Sequence, residues 1–184
     1  LTRALRVGGA TLERRTGLLV VAEDGDGHAG IGEAAPLPGL HRESLDDAAG
    51  QLAALAATLE GAAIPEGCPA LDGAFEAWIG GRGLAPSVRT GVEGAVLSLL
   101  ADRAGISVPR LIAPAPAKSV RLNALLDGDP VAVLEGATRR AAEGYTTLKI
   151  KVGRRRLADE ARLALDLRSA VGPSIALRLD ANRA

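Results

Sequence analysis

Leu148-Lys149-Ile150-Lys151-Val152 and, further on, Ile175-Ala176-Leu177-Arg178-Leu179-Asp180-Ala181-Asn182 decide how this chain folds. In both stretches aliphatic and polar side chains alternate, which is the two-residue period of a strand. Val120-Arg121-Leu122-Asn123-Ala124-Leu125 has the same alternation, inside an expected strand Val120–Leu126. Between these segments the period changes to that of a helix, over Pro130–Glu143 and Leu157–Val171, with Gly144 and Gly172 as the stops. The order strand, helix, strand, helix, strand with short connections predicts right-handed crossovers and a parallel sheet.

The alternation also says which way the sheet faces. Parallel strands covered on both sides read as unbroken Val, Ile and Leu. Here one face gathers Arg121, Asn123, Lys149, Lys151, Arg178, Asp180 and Asn182, while the other is aliphatic. Helices on both faces would bury those charges at high cost. A (β/α)8 barrel puts helices outside only, so the polar face points inward and its strand-end members reach the mouth. The competing arrangement is a one-sided open layer whose polar face meets water.

Working outward toward the N-terminus, Gly17–Glu23 and His28–Ala34 flank Asp24-Gly25-Asp26-Gly27, a hairpin signature. Pro36 and Pro38 impose an irregular segment before a helix that starts near Glu43 and ends at Gly61. Ala70–Ile79 is expected as a short helix, and Pro86 opens a longer one closed by Gly105. Ala113-Pro114-Ala115-Pro116-Ala117 reads as a linker. The expected fold is an α+β unit, residues 1–113, followed by a three-stranded α/β unit, residues 114–184.

Composition removes several classes of function. The 184 residues carry 22 basic and 22 acidic side chains, so no cationic excess is available to neutralise nucleic-acid phosphates. Phe75, Trp78 and Tyr145 are the only aromatic residues, too few for a base-stacking platform. A single cysteine, Cys68, allows no internal disulfide and no zinc cluster. No apolar run is long enough to span a bilayer, and the start lacks a signal-peptide layout, so a cytoplasmic protein is expected. The chain begins at Leu1 and contains no Met, which raises the expectation of a polypeptide cut at its ends.

The choice of polar residues points to chemistry. Lys118, Lys149 and Lys151 are the only lysines, every other basic residue being Arg. Arg keeps its proton near neutral pH, whereas a crowded Lys can release one, and two ammonium groups on one strand face disfavour double protonation. That suits a general base. Both asparagines, Asn123 and Asn182, fall at strand ends on the same face. Asp180 is the one acid there. Taken alone it serves equally as a salt-bridge partner, a helix cap or a ligand for a hard cation.

In these residues the chain resembles the enolase superfamily, which pairs a Lys or His base with magnesium. Lys149-Ile150-Lys151 resembles the KxK motif of the muconate-cycloisomerase-like branch, and Asp180-Ala181-Asn182 its DxN motif. Gly30-Ile31-Gly32-Glu33-Ala34-Ala35-Pro36-Leu37-Pro38-Gly39, followed by Glu43, is similar to the capping domain of o-succinylbenzoate synthases. The resemblance implies that the α+β unit is a capping domain and that residues 114–184 are the first three strands of a (β/α)-barrel. It further implies a magnesium-dependent syn-dehydration through an enediolate in menaquinone biosynthesis. It implies Lys151 as base and acid, Lys149 as its electrostatic neighbour and Asp180 as metal ligand. The loops around Gly32 to Gly39 would close over a small carboxylate substrate. Asn123, Arg178 and Asn182 are the expected substrate-binding residues. The superfamily takes two further metal ligands and an opposing Lys from later strands, so activity is expected of a longer parent.

Other readings remain beside it. Dipeptide epimerases, muconate-type cycloisomerases and N-acylamino-acid racemases share the two motifs, and a non-catalytic fragment is the alternative of another class. Gly30 and Gly32 could suggest a dinucleotide site, but the last glycine is missing and prolines stand where a helix should begin. Asp24 and Asp26 lack the later ligands of a calcium loop. His28 reads as a surface residue, His41 as a possible substrate contact, and Arg154-Arg155-Arg156 as a solvated turn near Asp159 and Glu160. Glu33 could anchor the cap. Nothing in the sequence sets the oligomeric state.

Overall fold

A computed structural model describes residues 4–7, 10–71, 73–79 and 82–181. The chain divides into two compact units, Leu1–Pro116 and Ala117–Ala184.

The first unit begins with two short antiparallel strands, β1 (Leu5–Val7) and β2 (Ala10–Leu12). Neither has a strong enough pattern to be seen in the sequence. The expected hairpin follows as β3 (Leu18–Glu23) and β4 (Ala29–Ala34), in a register that pairs Val20 with Gly32 and Ala22 with Gly30. Its turn is closed by Asp24, whose Oδ1 accepts from the backbone N–H groups of Asp26 and His28, both at 3.0 Å. Short acidic side chains that bond backbone two residues on are natural turn formers.

Helix α1 (Leu45–Leu59) starts with a capping box. Ser44 Oγ accepts from the Asp47 N–H at 3.0 Å, and the Asp47 carboxylate accepts from the Ser44 N–H at 2.9 Å. The helix expected over Ala70–Ile79 is instead a single 3-10 turn, Cys68–Ala70, and a short α2 (Ala74–Ile79). Leu71 and Gly73 both adopt positive φ between them, a conformation no right-handed helix accommodates. α3 (Pro86–Arg103) has Pro86 in its first turn, where the missing N–H costs nothing, and α4 (Val108–Ile112) follows. Ala48, Leu55, Cys68, Phe75, Ile79, Val88, Val92 and Val96 form the core of this unit. Phe75 and Trp78 meet edge to face at 5.8 Å within it.

The packing of α3 on β4 explains two residues singled out in the sequence. A Cβ on Gly30 would fall on the backbone of Ala95 and Leu99, and one on Gly32 on the carbonyl of Gly91. The Gly-Ile-Gly of β4 therefore lets a helix lie against a strand backbone to backbone.

The second unit is a parallel sheet of β5 (Ala124–Leu126), β6 (Thr147–Lys151) and β7 (Ala176–Asp180), in that order. α5 (Pro130–Ala142) and α6 (Leu157–Val171) link them. Asp129 caps α5 by accepting from the Ala132 N–H at 2.9 Å, and α6 ends at Gly172 with φ of +75°. Ala124, Leu126, Leu148 and Ile150 from the strands pack with Val133, Ala137, Leu163 and Leu167 from the helices.

Three expectations need correction. The first strand is only Ala124–Leu126, because the register pairs Ala124 with Leu148 and β6 begins one residue earlier. Upstream residues have almost no partner on that side, and Val120 and Leu122 are 79% and 69% exposed. Arg121 therefore lies outside the sheet. The polar face also carries an apolar side chain, since Leu125 shares a row with Lys149 and Arg178. Finally, Leu179 on the aliphatic face of β7 is 58% exposed, so that face is not fully covered. No helix among the described residues is long and apolar enough to cross a membrane.

Candidate active site

Period-two alternation on β6 puts Lys149 and Lys151 on the face opposite buried Leu148 and Ile150. The β6–β7 register sets Lys149 beside Arg178 and Lys151 beside Asp180. One more backbone bond, from the Val152 N–H to the Asp180 carbonyl at 2.9 Å, carries the pairing past the end of β6. Both strands thus finish together, with Lys151 and Asp180 as their last residues.

Across this row the contacts run diagonally. Lys149 Nζ lies 2.7 Å from Asp180 Oδ2, with both side chains about one-third exposed or less, at 33% and 26%. Arg178 Nη1 donates to Asn123 Oδ1 at 3.1 Å. Four of the six predicted site residues, Lys149, Lys151, Arg178 and Asp180, are therefore gathered on one face of one sheet, while Asn123 falls just before β5, outside the observed strand, and joins them through its bond to Arg178. Asn182 lies outside the described residues.

The turn expected after β6 is present, but sequence reasoning missed what fastens it. Gly153, Arg154 and Arg155 all donate their backbone N–H groups to the Glu160 carboxylate, at 2.8, 2.9 and 3.0 Å. The Gly153 and Arg154 amides hold this carboxyl below the usual Glu range, against a smaller opposing effect of desolvation. Arg155 Nη2 also donates to the Gly128 carbonyl at 2.8 Å, and Arg154 Nη1 lies 3.9 Å from Asp127. All three arginines are exposed, as expected, and two of them also reach the loop that follows β5. A glycine directly after a strand and an acid in the first turn of the next helix were the available signals.

In the first unit the proline segment is fixed locally. The Leu37 N–H donates to His41 Nδ1 at 3.0 Å, which gives His41 a structural task. Glu43, 7% exposed, accepts from the hydroxyl and the N–H of Ser87 at 2.6 and 3.1 Å. The Ser87 hydroxyl is the main reason its carboxyl sits below the ordinary range. Pro36, Leu37, Pro38, Arg14, Arg15 and Arg42 line a cavity of about 540 Å3 there. His28 is half-buried and bonds Asp24 through Nδ1 at 3.1 Å, which departs from a plain surface position.

Asp180 supplies the hard oxygen that magnesium prefers, and its place at a strand end fits such a role. One carboxylate fills only part of a six-oxygen shell. Among the described residues, three metal-ligating side chains come together only in the hairpin turn, at Asp24, Asp26 and His28.

A one-sided parallel sheet with lysines and an aspartate at its strand ends, preceded by an α+β unit, is the architecture of the enolase class. Comparison with known proteins agrees. The family described as MenC, N-terminal domain, matches residues 3–99, and the enolase C-terminal domain-like family matches residues 132–184. The chain belongs to the MenC family of the enolase superfamily.

Among curated proteins it is 34% identical to the chloroplastic Protein PHYLLO of Arabidopsis thaliana, over 91% of this chain and 11% of that protein. An o-succinylbenzoate synthase from Thermosynechococcus elongatus BP-1, solved with Mg in its active site, superposes with a TM-score of 0.64 at 27% identity. That match covers 98% of this chain and 48% of the other. A dipeptide epimerase from Enterococcus faecalis V583, solved with Mg and L-Leu-L-Tyr, superposes at 0.77 with 27% identity, over 99% of this chain and 50% of the other. The chain thus spans about half the length of these solved relatives.

Proposed function

We propose that the chain is the N-terminal portion of an o-succinylbenzoate synthase. Its reaction would be the syn-dehydration of a cyclohexadiene hydroxy acid to 2-succinylbenzoate, in menaquinone biosynthesis in the cytoplasm. The observation that carries this reading is Lys149 and Lys151 beside Asp180 at the end of a parallel sheet, behind a segment that matches the MenC N-terminal domain. On this reading the sheet is the first three strands of a (β/α)8 barrel.

Lys151 takes the proton alpha to the substrate carboxylate and returns it to the departing hydroxyl group, so that water leaves. Lys149 is ion-paired to Asp180, which distinguishes it from Lys151 and suits it to an electrostatic role. Arg178, Asn123 and Asn182 bind the carboxylate. A magnesium ion, with Asp180 among its ligands, would supply the localised positive charge that so weak a carbon acid requires.

A second reading is kept because a dipeptide epimerase superposes as well as it does. Epimerases, racemases and muconate-type cycloisomerases begin with the same proton abstraction, so fold and base do not separate them. Turnover of the dehydration substrate and of Ala-Glu dipeptides by the parent enzyme separates the readings. Dehydration without epimerisation is expected. Epimerisation with no dehydration would overturn the choice.

A further inference from the structure

Lys151 can act as a base only if the end of β6 is held still, and the structure contains a device at that point. Strand pairing ends at the Val152 N–H, and the next three amides, Gly153 to Arg155, converge on one carboxylate. Successive backbone N–H groups in a turn form a concave anion site. Here the anion is internal, Glu160 in the first turn of α6, a place the helix dipole also favours for an acid. The same turn reaches sideways through Arg155 to the Gly128 carbonyl, just after β5. Gly153 has φ of +84°, so the backbone curls there into a conformation that side chains resist.

We propose that Glu160 is a positioning residue for Lys151: by filling the nest of the Gly153, Arg154 and Arg155 amides it fixes the turn that closes β6, and so aims the base. This deepens the functional reading above and rests on it. Glu160 touches no substrate on this view. Glu160→Gln would leave one neutral oxygen for three amides that now use both carboxylate oxygens, loosening the turn and the strand end, and a shift of about 1 Å in a base can cost roughly a hundredfold in rate.

The test uses the parent enzyme with Glu160→Gln and Glu160→Asp, each measured two ways. Hydrogen exchange reads protection of the 153–155 amides, and solvent exchange of the substrate's alpha proton reads kcat and KM. Glu160→Gln should lose amide protection and lower kcat about tenfold to a hundredfold, with KM changed by less than about threefold. Glu160→Asp, which keeps the charge, should recover part of both. Lost protection with unchanged kcat would overturn the proposal, as would retained protection, since Glu160 would then not be what holds the turn. If Glu160→Gln does not fold, the Glu160→Asp variant decides alone: a kcat equal to wild type with altered protection counts against it. Absence of alpha-proton exchange in the wild-type enzyme is a separate result that sinks the functional reading, while the amide measurements still report on the nest.

Discussion

Lys149 Nζ sits 2.7 Å from Asp180 Oδ2, although the strand register pairs Asp180 with Lys151. The carboxylate leans back along its strand toward Lys149. Lys149, Lys151 and Arg178 thus share the ends of two strands with one carboxylate, an excess of basic groups on that face.

That arrangement predicts activity loss without loss of fold. Lys151→Ala in the parent enzyme should lower alpha-proton exchange by about a hundredfold to ten-thousandfold, the usual span for a general base. Asp180→Asn should also abolish magnesium-dependent turnover. A partly exposed ion pair is worth about 1 kcal/mol or less, so thermal unfolding of both variants should stay near that of wild type. Kinetics beside calorimetry checks this. Exchange retained in Lys151→Ala removes it from the base role.

Close approach of α3 to β4 makes a second prediction. Gly32→Ala would set a methyl group on the Gly91 carbonyl, backbone that cannot move aside cheaply. Overpacking of this kind costs about 1–3 kcal/mol or more, and each kcal/mol lowers the melting temperature of a domain this size by roughly 4 °C. Gly25→Ala is the control, since nothing lies within 4 Å of the added carbon. Calorimetry on the two variants should give a large shift for the first and almost none for the second.

This contact also shows where sequence reading stops. The alternation of Lys149, Lys151, Arg178 and Asp180 was legible because a strand's period is two and any polar face stands out. Capping at Pro86, Pro130 and Gly172 was legible for a similar reason: each rests on one residue's backbone constraint. Gly30 and Gly32 were visible but not interpretable, because their partner lies on a helix some sixty residues away. The Glu160 nest was only half legible: Gly153 and the acid at the start of α6 were visible, but the backbone amides that bind it carry no sequence signature. The break at Leu71 was hidden as well, since a non-glycine residue at positive φ is imposed by its surroundings.

Glu43 gives a pH prediction. Its carboxyl is depressed, chiefly by the Ser87 hydroxyl and in spite of burial, so the charged form is the one the fold stabilises. Stability from this contact is fully present above the unfolded value, about 4.3, and is lost as pH falls through the lower folded value. Ser87→Ala removes the 2.6 Å bond but leaves the backbone donor. The variant should be less stable by about 1.5–3 kcal/mol at pH 7, the usual worth of a hydrogen bond to a charged group. Its deficit should shrink below pH 4 or so, once both proteins carry a neutral Glu43. Urea unfolding at pH 7 and at pH 3 checks it. A deficit independent of pH would mean that Ser87 acts through packing alone.

The last prediction concerns β7, which pairs with β6 on one side and ends the sheet among the described residues. An edge strand offers a row of unpaired backbone groups, and an exposed apolar side chain makes it more adhesive. Leu179 is such a side chain, at 58% exposure. The isolated 184-residue chain should therefore associate as its concentration rises. Leu179→Lys places a charge on the same strand and should weaken that association, at a stability cost of about 0.5 kcal/mol or less for a substitution this exposed. Leu148→Lys, on the neighbouring strand and fully buried, should instead unfold the unit, because an unpaired ammonium cannot be desolvated cheaply. Sedimentation velocity across a concentration series distinguishes the two. If Leu179→Lys associates as strongly as wild type, the adhesive surface lies elsewhere than on β7.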